Sequence, residues 1–156
     1  MRTVTGVIEG GSEEDSVKTA WAAAGNFASA AKKFPRHVLV VDDEPLIRWS
    51  VAESLADVGM DVEQAGDAAS ALRMVTTAAL PFDIIVLDLR LPDMRDLSLL
   101  ATLRQLLPAA GLILMTAFDT PDIDVAAARL NATVLNKPFE LAELTRLAIE
   151  TETKAW

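Results

Sequence analysis

The sequence predicts an α/β domain in which a parallel sheet of five strands is wound with helices on both faces. Three observations carry this reading. From Arg36 onward, short runs rich in β-branched apolar residues alternate five times with longer segments of helical period. Three of those runs, Val38-Leu39-Val40-Val41, Ile84-Ile85-Val86-Leu87 and Leu112–Met115, are apolar throughout, as strands covered on both faces must be. The chain has 156 residues, 51% of them hydrophobic and 24% charged, which is enough to build a core.

Residues 1–35 precede this pattern and differ from it. They are alanine-rich and end in Lys32-Lys33-Phe34-Pro35, where Pro35 biases its predecessor out of helix. The boundary between an N-terminal extension, 1–35, and a second domain, 36–156, is placed there. Residues 12–34 read as one helix, with Ser12 as N-cap, Glu13, Glu14 and Asp15 opposing the macrodipole, and Lys32 and Lys33 suiting the other end. Val17, Ala20, Ala24, Phe27, Ala31 and Phe34 form a narrow apolar seam with Trp21 beside it. The seam is too short to argue a coiled coil, and Gly25 interrupts it. It suits an amphipathic helix lying on its own domain or fraying in solution, ahead of a homodimer contact.

In the second domain the strands are read at 38–41, 61–65, 84–87, 112–115 and 133–136. The helices are read near 45–58, 68–78, 97–106, 122–129 and 140–153. Pro45 suits the first turn of the first helix, whose Ile47, Val51, Leu55 and Val58 share a face. Asp67 is the expected N-cap of the second. His37, before the first strand, is expected to face solvent.

Composition narrows the chemistry. There are 14 basic and 23 acidic residues, a formal net charge of −9, and residues 36–156 carry all of the excess. Such a surface disfavours direct contact with nucleic acid or anionic lipid. There is no cysteine, no tyrosine and a single histidine, which excludes Cys/His zinc sites, thiol nucleophiles and disulfide scaffolds. No run reaches the roughly 18 apolar residues of a membrane span, and no signal-peptide pattern opens the chain, so a cytoplasmic protein is expected.

Right-handed crossovers bring the C-terminal ends of all five strands to one rim, where ligands of such sheets bind. The first run ends in Asp42-Asp43, the third in Asp88, the fourth in Thr116 and the fifth in Asn136-Lys137. Three ionised carboxylates about 4 Å apart cost on the order of 10 kcal/mol at an effective dielectric near 20, so a cation is expected among them. Oxygen ligands with room for water suit Mg²⁺. Lys137 adds a positive charge and Thr116 a donor where an anion would sit, and the set has the character of a phosphoryl-transfer pocket.

The stretches VLVVDDEP (38–45), VLDLRLPDM (86–94), LMTAF (114–118) and NKPF (136–139) together resemble the receiver domain of bacterial two-component response regulators, over about residues 36–153. The resemblance implies a flavodoxin-like fold of strand order 2-1-3-4-5. It implies that Asp88 is the phosphoacceptor, attacking a phosphohistidine on a sensor histidine kinase or histidine phosphotransfer protein. Asp42, Asp43, Asp88 and the backbone carbonyl of Arg90 would hold Mg²⁺, and Lys137 would pair with a phosphoryl oxygen. Thr116 would reorient to bond another oxygen and move the following loop, while Ala117 is small enough to leave that oxygen accessible. The peptide before Pro138 is expected to be cis. Trp49, on the first helix, lies where the family docks its histidine partner, and suits either an anchor for that partner or a packing residue. The downstream partner is unknown.

Plain structural uses stay open beside these: Asp42 as a helix cap, Thr116 as an ordinary strand-end hydroxyl. Two positions depart from the family. Val134 stands where an aromatic switch residue is common, which would alter coupling or pass it through Phe118. Asp96, after Arg95, stands where glycine is favoured; aspartate tolerates a left-handed backbone better than most residues, and the alternative is a loop shaped differently from the family's. A haloacid dehalogenase phosphatase would need an acid two residues after the nucleophile, where Arg90 stands. The expectation is a stand-alone receiver that catalyses only its own phosphorylation and dephosphorylation. The alternatives are a phosphorylation-independent adaptor, or the receiver fragment of a transcriptional activator, which the stretch LMTAFDTP also resembles.

Overall fold

The computed structural model describes residues 36–117 and 120–151. The helix and seam read at 12–34, and Phe118, lie outside the described residues. Five strands, β1 (His37–Val41), β2 (Asp61–Ala65), β3 (Ile84–Asp88), β4 (Gly111–Thr116) and β5 (Ala132–Asn136), alternate with five helices, α1 (Pro45–Asp57), α2 (Ala68–Thr77), α3 (Ser98–Leu106), α4 (Pro121–Arg129) and α5 (Leu141–Glu150). The strands form one parallel sheet in the order β2-β1-β3-β4-β5, the flavodoxin-like arrangement expected.

The two-residue repeat of the strands divides the core into two layers. Leu39, Val41, Ile85, Leu87, Leu112 and Leu114 pack with Ala68 and Ala71 of α2, Leu99, Leu100 and Leu103 of α3 and Ala127 of α4. Val38, Val40, Ile84, Val86, Ile113 and Met115 pack on the other face with Val51 and Leu55 of α1 and Leu144 and Ala148 of α5. This double coverage is why β1, β3 and β4 had to be apolar at successive positions. The edge strand β2 is mostly exposed and accordingly polar.

Local signals set several helix ends. Pro45 occupies the first turn of α1. Asp67 caps α2 as expected, accepting the Ser70 N–H at 2.6 Å. At the other end of α1, Gly59 (φ 91°) donates to the Ala56 carbonyl while the Met60 N–H reaches Leu55, a Schellman stop that needs a residue at positive φ. Val58 sits at that C-cap with 44% exposure, so it leaves the buried face the sequence reading gave it.

His37 also differs from its reading. Its ring stacks on Phe82 (centroids 4.0 Å apart), bonds Glu63 and is only 14% exposed, because β1 begins one residue earlier than expected and draws the side chain onto the domain. Arg36 donates to the carbonyls of Ala148 and Thr151, tying the start of β1 to the end of α5. Among the described residues no helix is long and apolar enough to cross a membrane.

Candidate functional site

The parallel register places the ends of β1, β3, β4 and β5 side by side, pairing Val41 with Leu87, Asp88 with Met115 and Thr116 with Asn136. Asp42 and Asp88 therefore lie on neighbouring strands, with Lys137 one residue beyond β5. Each strand is fixed by its own apolar run, so the polar residues that follow are carried to the rim without needing contacts of their own.

Asp42, Asp43 and Asp88 each offer a carboxylate oxygen, and these atoms all lie within 4.8 Å of one another. Asp42 is fully buried, and its two oxygens are engaged differently. Oδ1 accepts the Glu44 N–H at 2.9 Å, while Oδ2 accepts from the Lys137 ammonium at 3.2 Å. Asp42 therefore belongs to the pocket and closes the turn before α1, whose N-cap is Glu44 and which has no side-chain cap, so the helix-cap reading of Asp42 does not hold. Lys137 Nζ also lies 3.4 Å from Asp88 Oδ1. Asp43 is exposed, and its carboxylate has no hydrogen-bond or ion-pair partner among the described residues.

Electrostatically the cluster is short of positive charge. Of the three carboxylates, Asp42 and Asp88 share one ammonium as their ion-pair partner among the described residues, and Asp43 has none. Burial, and then the charge of Asp42, push the Asp88 carboxyl up to about 6, against the opposing pull of Lys137 and the Arg90 N–H. Burial works to lower Lys137, but Asp42 and Asp88 outweigh it and hold the ammonium above its usual value. A free carboxylate beside two buried ones that share a single ammonium makes a donor set that fits a hard divalent cation.

The cluster opens into a cavity of about 360 Å³ lined by Asp43, Glu44, Asp88, Arg90, Arg95, Thr116, Ala117 and Lys137 among others. Thr116 is buried and Ala117 exposed. The Lys137 N–H donates to the Thr116 carbonyl at 2.7 Å, and the Lys137–Pro138 peptide is cis as expected. Two residues stand apart from the pocket. Val134 is partly buried against the core layer that includes Ala127 of α4. Trp49 is 54% exposed on α1, near Leu46 at 74%.

Sequence reasoning missed three participants. Arg48 donates from α1 to the Asp42 carbonyl at 2.8 Å, bracing the acid pair from behind. Glu44 and Arg95 also line the cavity; the sequence signal was the place of Glu44 inside the stretch 38–45 and of Arg95 directly after the stretch 86–94. At Asp96 the left-handed backbone is not found and the differently shaped loop is. Among the described residues only Asn131 and Gly59 adopt positive φ, and Asp96 instead accepts the Ser98 N–H at 2.9 Å, opening α3.

A doubly wound parallel sheet of strand order 2-1-3-4-5, with an acidic cluster and a lysine at its C-terminal rim, places the chain among the flavodoxin-like α/β domains. The response regulator receiver domain family matches residues 38–149, and the chain belongs to that family. It is 36% identical over 111 residues to the probable transcriptional regulatory protein TcrX of Mycobacterium tuberculosis, covering 70% of this chain and 47% of that protein. It is 34% identical over 111 residues to the DNA-binding transcriptional regulator NtrC of Escherichia coli K12, covering 70% of this chain and 23% of the relative. The chain thus spans from about a quarter to about half the length of these relatives. Among solved structures it is similar to chemotaxis protein CheY4 of Vibrio cholerae, with a TM-score of 0.68, 28% identity, and coverage of 75% of this chain and 98% of that one. The non-phosphorylated HemR receiver domain of Leptospira biflexa gives a TM-score of 0.69 at 27% identity, covering 78% of this chain and 99% of that one.

Proposed function

We propose that this receiver accepts a phosphoryl group on Asp88 from the phosphohistidine of a sensor histidine kinase or histidine phosphotransfer protein, and signals through protein contacts. The observation that carries the reading is the convergence of Asp42, Asp43 and Asp88 within 4.8 Å, with the Lys137 ammonium 3.2 Å from one and 3.4 Å from another. Asp42, Asp43, Asp88 and the Arg90 backbone carbonyl would hold Mg²⁺, which supplies charge neutralisation at the transferring oxygens when bound. Asp88 supplies the attacking oxygen and needs no base once its carboxyl is ionised. Lys137, released from part of its hold on Asp88, bonds a phosphoryl oxygen. Thr116 bonds a second, and Ala117 leaves the approach open.

That hydroxyl movement draws on the segment after β4, and Phe118 and the face carrying Val134 are the candidate readouts. An aliphatic Val134 has no ring to swing between a buried and an exposed position, so switching here would run through α4 packing. Trp49 and Leu46 expose apolar surface on α1, which suits an anchor for the histidine partner rather than packing. In this reading residues 1–35 are an extension to a receiver at 36–156, in the cytoplasm, with the seam at 12–34 available for a homodimer. The lengths of TcrX and NtrC support a second reading, in which these residues are the receiver of a longer transcriptional activator.

The test is incubation with a small phosphodonor and Mg²⁺, compared with Asp88→Asn on a phosphate-affinity gel. A retarded band that depends on Asp88 is expected. Its absence would remove the phosphoacceptor role and leave the adaptor reading.

A further inference from the structure

Lys137 enters any encounter with a donor already committed, shared between Asp42 and Asp88. Arg95 does not. It lines the same cavity as Asp88, Thr116 and Lys137, is exposed, and makes no hydrogen bond or ion pair among the described residues. The acids near it in the loop are turned to other work. Asp93 reaches across to the start of α2 and accepts the N–H groups of Ala68 at 2.9 Å and Ala69 at 3.0 Å. Asp96 accepts the Ser98 N–H. Both carboxylates are thus held by backbone donors and neither neutralises the guanidinium. The same bonds, with the Leu91–Met94 backbone pair, fasten the loop, so Arg95 projects from a fixed base.

We propose that Arg95 is a second cationic ligand for the incoming donor's phosphoryl group, acting from the β3–α3 loop as Lys137 acts from the end of β5. A guanidinium presents paired N–H donors in a plane, which match two non-bridging oxygens of a phosphoryl dianion, whereas an ammonium acts as a point charge. Arg95 contributes to holding the donor, and the transfer itself stays with Asp88. The inference rests on Asp88 being the phosphoacceptor. It concerns the phosphoryl group itself, common to small acyl phosphates and to phosphohistidine.

The test compares the full chain as wild type, Arg95→Gln and Arg95→Lys. Initial phosphorylation rates are measured against acetyl phosphate concentration with Mg²⁺, and Mg²⁺ binding is measured by calorimetry without donor. In Arg95→Gln the half-saturating donor concentration is expected to rise about fivefold, the scale of one partly exposed charge contact, with the maximal rate within about twofold. Arg95→Lys recovers part of the loss. Mg²⁺ binds more tightly to Arg95→Gln, because a positive charge has left the cavity. A loop that is merely disturbed weakens both ligands, so weaker Mg²⁺ binding, or an unchanged half-saturation, overturns the proposal. A parallel arm uses a phosphohistidine-bearing phosphotransfer domain. A defect confined to that arm overturns it too, since Arg95 would then be reading the partner's surface. Failure of wild type to label at Asp88 would strike instead at the phosphoacceptor reading.

Discussion

Replacing Asp88 by asparagine should stabilise the protein once divalent cations are removed. Asp88 is 6% exposed, and burial together with the neighbouring Asp42 charge raises its carboxyl from 3.8 to about 6. An acid whose pKa is raised by folding binds its proton more tightly in the native than in the unfolded state. Its contribution is therefore most favourable below about pH 4, and stability falls as pH rises from there to about 6, then levels. At 1.36 kcal/mol per unit, a shift of roughly two units costs about 3 kcal/mol at neutral pH, an upper bound. Asparagine keeps the shape without the charge, so a gain of about 1–3 kcal/mol is expected. The assay is urea unfolding of both proteins in EDTA at about pH 7.5 and about pH 4, where the difference should shrink to about 0.5 kcal/mol. Adding Mg²⁺ should stabilise wild type and narrow the gap, by about 2.7 kcal/mol at a hundredfold excess over Kd. A variant no more stable than wild type at neutral pH in EDTA would show that the three carboxylates are at ease without a cation, and the case for a metal site would fail with it.

Two further substitutions test how the scaffold holds the rim. A Cβ on Gly111, at the start of β4, would meet Thr151 Cγ2 at 2.1 Å, so Gly111→Ala should cost about 1–3 kcal/mol in urea unfolding. Thr151→Ser, which keeps the hydroxyl bonded to Leu147, should recover most of that loss, and no recovery would place the clash elsewhere. Arg104 donates to the carbonyls of Leu107, Pro108, Ala110, Leu130 and Asn131, joining the ends of α3 and α4. Arg104→Met should lower stability by about 2–3 kcal/mol with Asp88 still open to phosphorylation, and a neutral result would make the clamp incidental.

The features legible in advance are those with a short-range signal. The alternation of apolar runs with helical segments set the five strands and five helices, to within three residues at every end. Parallel crossovers then required Asp42, Asp43, Asp88, Thr116 and Lys137 to meet. Asp67 was legible as a cap because its partner, Ser70, is three residues away. The positions that escaped have partners far along the chain. Asp93 caps a helix that begins 25 residues earlier, a span no local period records. Arg48 braces the acid pair only because α1 folds back over β1, and Arg104 gathers carbonyls from two helix ends. Val58 and His37 were placed on the wrong sides because exposure depends on what else is packed nearby: Val58 on where α1 stops, His37 on Phe82 and Glu63 arriving beside it. The sequence by itself determined the alternation of five strands and five helices and which residues reach the rim of the sheet, since hydrophobic period and chain handedness are properties of successive residues, while the order of the strands followed from the family resemblance. Only the tertiary structure decided which charges there are paired and which are left over, Lys137 shared between two acids while Asp43 and Arg95 have no partner among the described residues, because pairing is settled by distances between segments that the sequence keeps apart.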